Sequence, residues 1–330
     1  MRRGIGTMGL KIQYIPVEGG AAVLSCTGSG FALRLPEEIG GLAVREICAY
    51  AFSSPEAAEH LPAGTEIRTA ETGGPAAPGS EEKFLGGPVL REIILPRGIR
   101  SIGEYAFYNC ASLSRIGLGE GDARVGNGAF MNCGSLGRID FAAPPDAETC
   151  LPGLLTEIQR EVRVIFRSGG ETAAWIFPEY YEESVENAPA RIFEHFIHGA
   201  GYRYRQCFQG GRLEAEDYDA QFSKARSEAE PAIALRIALV RLRCPYRLLE
   251  AAENQYLSYL KQNAAAAAEL LIADDDPEGL AFLAARGVLT REIIGSAVEA
   301  AARKGRAECL SVLLNEQHTR FAPKEKAFDL

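Results

Sequence analysis

The sequence predicts an α+β protein: a solenoid of short stacked strands in the N-terminal half, followed by an α-helical bundle. Two observations carry the first part. Residues 90–112 (LREIILPRGIRSIGEYAFYNCAS) are followed at once by residues 113–135 (LSRIGLGEGDARVGNGAFMNCGS), and residues 136–141 (LGRIDF) open a third copy, a period of 23 residues. The apolar offsets repeat as well, Leu90, Ile93, Leu95, Ile102, Phe107 and Cys110 recurring as Leu113, Ile116, Leu118, Val125, Phe130 and Cys133. A turn of chain with that pattern buries its apolar edge only by stacking on its neighbours, which is the logic of a solenoid. The third observation is a change of period: from about Ser227 onward, short apolar stretches are punctuated as helices.

Taken in order, residues 1–16 (MRRGIGTMGLKIQYIP) lack the apolar stretch of a secretory signal and show strand-like alternation from Met8, an alternative start to Met1. An imperfect first copy lies at 31–52 (FALRLPEEIGGLAVREICAYAF). Residues 53–89 interrupt the repeats with a stretch rich in Pro, Gly, Ala and Glu, which reads as a flexible inserted loop. Within each copy, L-x-x-I-x-L turns Ile93 and Leu95 inward and leaves Glu92 and Ile94 on the other face. The Ala-Phe pairs, Ala106-Phe107 and Ala129-Phe130, supply a close approach and a large filler. Asn109 and Asn132 are placed to hydrogen-bond the loop backbone. Asp122 stands where Ile99 stands in the neighbouring copy, so that coil is expected to be looser. After Phe141 the repeat lapses, and a helix over 151–159 with a strand over 162–166 suits a cap on the open end.

The pattern LxxIxLPxxIxxIGxxAFxNCxS resembles the BspA-like class of leucine-rich repeats, found largely in bacterial proteins, with residues 20–142 covered. The resemblance implies a solenoid that binds protein on its concave strand face.

The charge of −9 argues against generic binding to nucleic acid or anionic membrane, and no run of apolar residues is long enough to cross a bilayer. Eight cysteines without CxxC or Cys/His spacing read as reduced, buried thiols, so the expected location is cytoplasmic. Residues 171–226 form an aromatic-rich connecting segment in which GYRYRQCF reads as a two-faced strand. His195 and His198 would share a helix face there, with Glu194 and Cys207 the nearest candidates for a metal, but the spacing is not that of a known zinc site. No catalytic motif occurs, so neither an enzyme nor a cofactor is expected.

In the C-terminal part, Pro231 opens and Pro245 closes a helix burying Ile233, Ile237 and Val240; LLEAAENQYLSYLKQN and AAAAAELLIADD follow. Residues 301–314 (AARKGRAECLSVLL) resemble the paired helices of an ankyrin repeat, with Ala301 and Ala302 at the helix contact, Gly305 at the turn, and Leu313 and Leu314 in the core. Residues 276–287 resemble the second helix of a preceding repeat, although the offset of 30 residues falls short of the ankyrin period and SAVE replaces TPLH. The expected domains are thus a leucine-rich repeat domain at 9–170 with the insertion at 53–89, a connecting segment at 171–226, an ankyrin-like helical domain at 227–318 and a tail at 319–330.

Stacking the copies places Arg91, Ser114 and Gly137 in one column, Glu92, Arg115 and Arg138 in a second, and Ile94, Gly117 and Asp140 in a third. The expected protein-binding residues are Arg91, Glu92, Ile94, Arg115, Arg138 and Asp140, with Arg115 and Arg138 clamping a carboxylate of an acidic protein partner. A non-enzymatic scaffold or adaptor is the first reading. An enzyme or ligand site built from His195, His198, Tyr202 and Cys207 is the second, and a surface adhesin the third.

Overall fold

Alternation in LKIQYIPV buries Leu10, Ile12 and Tyr14, and this segment forms β1 (Leu10–Val17), antiparallel to β2 (Gly20–Gly28). The structure is a computed structural model and describes residues 9–73, 82–187 and 191–321; the alternative start at Met8 lies outside them. The chain divides into two compact units, Met1–Gln221 and Phe222–Leu330.

In the first unit the imperfect copy supplies β3 (Ala32–Arg34), β4 (Glu38–Ile39) and β5 (Leu42–Ile47). The insertion is more structured than its composition suggests. Residues 57–60 make a 3₁₀ turn, β6 (Arg68–Thr72) pairs antiparallel with β1, and β7 (Lys83–Phe84) pairs with β2. The open edge of β1 satisfies the backbone of β6, so Thr, Ala and Glu are recruited into a strand despite a weak local signal. Residues 74–81 of that loop lie outside the described residues.

The next two coils contribute one strand to each of two sheets, β8 (Glu92–Ile94) and β9 (Ser101–Ile102), then β10 (Arg115–Leu118) and β11 (Arg124–Val125), and the third contributes β12 (Arg138–Phe141) to the first of them. The cap follows as α1 (Leu151–Glu157) and β13 (Val162–Ser168), the latter running parallel to β12. β14 (Glu171–Phe177) returns antiparallel to β13, so the boundary expected at 170/171 falls in the turn of a hairpin. One sheet has the order β14-β13-β12-β10-β8-β3; the other runs β11-β9-β5-β2-β1-β6, with β4 and β7 attached.

The core between the sheets is a ladder. Phe52, Phe107 and Phe130 stack at 5.0 Å between successive ring centroids, and Phe141 stacks on Phe166 at 4.9 Å. The repeat cysteines tie the ladder together: Cys110 Sγ donates to the carbonyl of Phe52 and Cys133 Sγ to that of Phe107, each at 3.2 Å. A residue with no side chain is required where coils touch, since a Cβ on Gly126 would lie 2.5 Å from the backbone nitrogen of Glu104. Asp122 points to solvent while the next residue, Ala123, turns inward, so that coil keeps its register: Arg124 still pairs with Ser101.

Beyond β14 come β15 (Tyr181–Asn187) and β16 (Ile192–His198), a hairpin paired only with itself among the described residues, then α2 (Gly201–Tyr204), β17 (Phe208–Gln209), β18 (Arg212–Leu213) and α3 (Ala215–Ala220). The two-faced strand expected in GYRYRQCF is therefore a turn of helix. Arg205 is the cause: its buried guanidinium donates to the carbonyls of Leu155, Ile158, Arg160, Pro178 and Gly201 and lies over the Tyr180 ring, fixing the chain as a helical turn.

The second unit holds α4 (Phe222–Glu228), α5 (Pro231–Arg243), α6 (Glu250–Gln262), α7 (Ala264–Ala273), α8 (Pro277–Ala285), α9 (Arg291–Arg303) and α10 (Ala307–Phe321). Asp276 caps α8, accepting from the Gly279 amide at 2.8 Å, and Thr290 caps α9. Gly305 turns the chain between α9 and α10 at φ 65°, as expected, and Ala301 and Leu313 are buried. Ala302 and Leu314 are exposed instead, on the far sides of their helices. SAVE lies inside α9, and no hairpin occupies the short link between α8 and α9, so the ankyrin resemblance gains no support beyond helix pairing. The expected tail is helical through Phe321; residues 322–330 lie outside the described residues.

Candidate protein interface

The outer face of the six-stranded sheet is assembled by register. Glu92, Arg115, Arg138 and Arg163 stand side by side on β8, β10, β12 and β13, and Arg34, Ile94, Gly117, Asp140 and Ile165 form the next column. Arg167, two residues beyond Ile165, shares that face. Five arginines, Arg34, Arg115, Arg138, Arg163 and Arg167, thus face outward with two carboxylates, Glu92 and Asp140.

Asp140 organises the face. It is 7% exposed, and each of its carboxylate oxygens accepts two hydrogen bonds. Arg138 binds it with a fork, Nε and Nη2 both at 2.9 Å; Arg115 Nε and Arg167 Nη1 each reach it at 2.6 Å. Arg115 also meets Glu92, at 3.5 Å. Burial alone would raise the Asp140 pKa, but the hydrogen bonds from Arg138, Arg167 and Arg115 outweigh it and hold the carboxyl below its ordinary value.

Of the residues singled out in the sequence, Glu92, Arg115, Arg138 and Asp140 therefore come together, and the carboxylate that Arg115 and Arg138 clamp is the chain's own. Arg91 stands apart, its guanidinium 4.9 Å from the centroid of the exposed Phe31 ring. Ile94 is spent within the sheet, its branched carbons lying across Gly117. Arg167 was missed because it falls after the repeat lapses. The signal was present in the alternation Arg163, Ile165, Arg167, which continues the charged face of β12 onto β13.

The alternative site in the middle segment does not assemble. His195 and His198 lie on β16, a strand and not a helix, so their offset of three sends them to opposite faces. His195 Nδ1 lies 2.9 Å from Ser184 Oγ, and His198 Nε2 lies 2.9 Å from Glu183. Cys207 is buried, and burial pushes its thiol up to about 12, the opposite of a poised nucleophile. Among the described residues, no three His, Cys, Asp or Glu side chains gather as they would around a metal ion.

The repeat is matched by a known family. Residues 80–148 match the family described as the BspA type leucine rich repeat region (6 copies). No curated protein matches the chain. Among solved structures, a leucine rich cell surface protein from Faecalibacterium prausnitzii A2-165 is similar at 19% identity, over 40% of this chain and 31% of that one, with a TM-score of 0.26. The chain thus spans about a third of that protein.

These findings correct the cytoplasmic location expected from the sequence. The matched repeat is of the BspA type, and the similar structure is described as that of a leucine rich cell surface protein. The physical reason for the error is plain: buried thiols stay reduced wherever solvent cannot reach them, and an N-terminus without an apolar stretch does not set a compartment. No described helix is long and apolar enough to cross a membrane.

Proposed function

We propose that this is a non-enzymatic protein-binding protein, and that the arginine face of its six-stranded sheet takes an acidic segment of a partner protein. The observation that supports this reading is the Asp140 cluster. Asp140 holds three guanidinium groups in fixed geometry and, with Glu92 on Arg115, neutralises only two of them. Side chains of Arg138 and Arg167 remain 38% and 47% exposed and carry N–H groups beyond those given to Asp140, on a chain whose total charge is −9. Pre-organised arginines lose little freedom on binding, which is where a forked guanidinium gains over a flexible lysine. An adhesin-like role uses the same face, the partner then being an extracellular or surface protein.

The test is fluorescence anisotropy with labelled oligoglutamate and oligolysine peptides against the full chain. Oligoglutamate is expected to bind and oligolysine not to, with an Arg163→Glu/Arg167→Glu variant losing at least tenfold in affinity. Equal binding of the acidic peptide by that variant, with its circular dichroism unchanged, would place the contact elsewhere.

A further inference from the structure

The β15–β16 hairpin has the opposite character to the arginine face. Tyr181, Val185, Phe193, Phe196 and Ile197 are exposed large apolar residues concentrated in these two short strands, with Phe193 60% exposed. The hairpin pairs with no other strand among the described residues, so both its outer edges are open. A lone two-stranded sheet is marginal in water, and an open apolar edge is a template for another strand.

The two edges are not equivalent. Were β15 to meet a second β15 antiparallel about Ser184, Glu182 would stand opposite Glu186 at two places, a like-charge pairing that opposes contact. β16 has the reverse arrangement. Paired antiparallel with its own copy about His195, Phe193 stands opposite Ile197 twice, on the same face, flanking the two His195 side chains. On the other face Glu194 stands opposite Phe196, so no acid meets an acid.

We propose that β16 is a self-association edge: two copies of this chain pair antiparallel through β16 about a two-fold axis at His195, making a four-stranded sheet β15-β16-β16-β15. The occupant is a second copy because the strand is complementary to itself in register, and because the acidic outer edges of β15 then end the sheet and close the assembly at two. Seven residues of strand per copy bury less than the roughly 1,000 Å² of a stable interface, so the dimer is weak and reversible. This inference is independent of the arginine face.

Sedimentation velocity of the full chain over roughly 1–100 μM, the range suited to an interface of that size, gives the test. The wild type is expected to shift from monomer to dimer with concentration. Phe193→Lys/Ile197→Lys sets lysines opposite lysines and is expected to stay monomeric, as is Phe193→Glu/Ile197→Glu; an equimolar mixture of the two is expected to recover the dimer. His195→Cys is expected to form a covalent dimer under mild oxidation, and Glu182→Cys is not. A wild type that remains monomeric throughout, a dimer that both double variants keep, or a monomer that instead co-sediments with phosphatidylcholine vesicles would overturn the proposal.

Discussion

Single residues hold this fold at points that apolar pattern does not mark. Arg205 is buried, and burial lowers its guanidinium pKa to about 10 despite the opposing influence of Tyr180 and Glu179. Its worth lies in carbonyls that would otherwise be buried without donors. Arg205→Leu is expected to lower stability by about 3–5 kcal/mol, read as a shift of the urea midpoint. Asp140 acts through charge. Its folded-state pKa lies below the unfolded value, so its contribution is present above about pH 4 and is lost as pH falls through the lower folded value. Asp140→Asn is expected to destabilise at neutral pH and to flatten the acid limb of the stability curve, measured by thermal unfolding between roughly pH 2 and 7. Asn109 and Asn132 adopt φ of 61° and 63°, and Asn132 Nδ2 donates to Asn109 Oδ1 at 2.9 Å, a ladder between side chains where a bond to backbone was expected. Asn132→Gly should be tolerated better than Asn132→Val, by about 1–2 kcal/mol, because a β-branched residue resists the left-handed region.

At the scale of elements, the aromatic ladder decides stability. Phe107 lies between Phe52 and Phe130 and its truncation leaves a void on both sides, so Phe107→Ala is expected to cost about 3–5 kcal/mol in urea unfolding. The elements that the period dictates were legible: β8, β10 and β12 fall where the L-x-x-I-x-L pattern repeats, and α5 lies between its two prolines. The candidate face was partly legible for the same reason, since a constant period stacks Glu92, Arg115 and Arg138 without knowledge of the fold. What escaped depends on distant partners. β6 is a strand because β1 offers an open edge, and α2 is helical because Arg205 finds carbonyls from residues 155–160, far off in sequence. His195 and His198 would share a face only on a helix, and seven residues with apolar Ile192, Phe193, Phe196 and Ile197 do not separate period 2 from period 3.6.

On the whole molecule, charge is unevenly divided. The chain carries −9, yet one sheet face gathers five arginines around two carboxylates. Capture of an acidic peptide there is expected to weaken steadily between about 0.05 and 0.5 M salt, as the Debye length shrinks below the spacing of the exposed charges.

The parallel register of the coils has a mechanical consequence. Neighbouring strands lie side by side across the stack, so tension along the stack peels their hydrogen bonds a few at a time instead of shearing them all together. Each of the two regular coils, residues 90–112 and 113–135, frees 23 residues when it lets go, about 80 Å of contour. Drawn from its two ends in a force microscope, the repeat region should yield in low steps, equal for the two regular coils and longer for the coil that carries the insertion, behaving as a ratcheted spring.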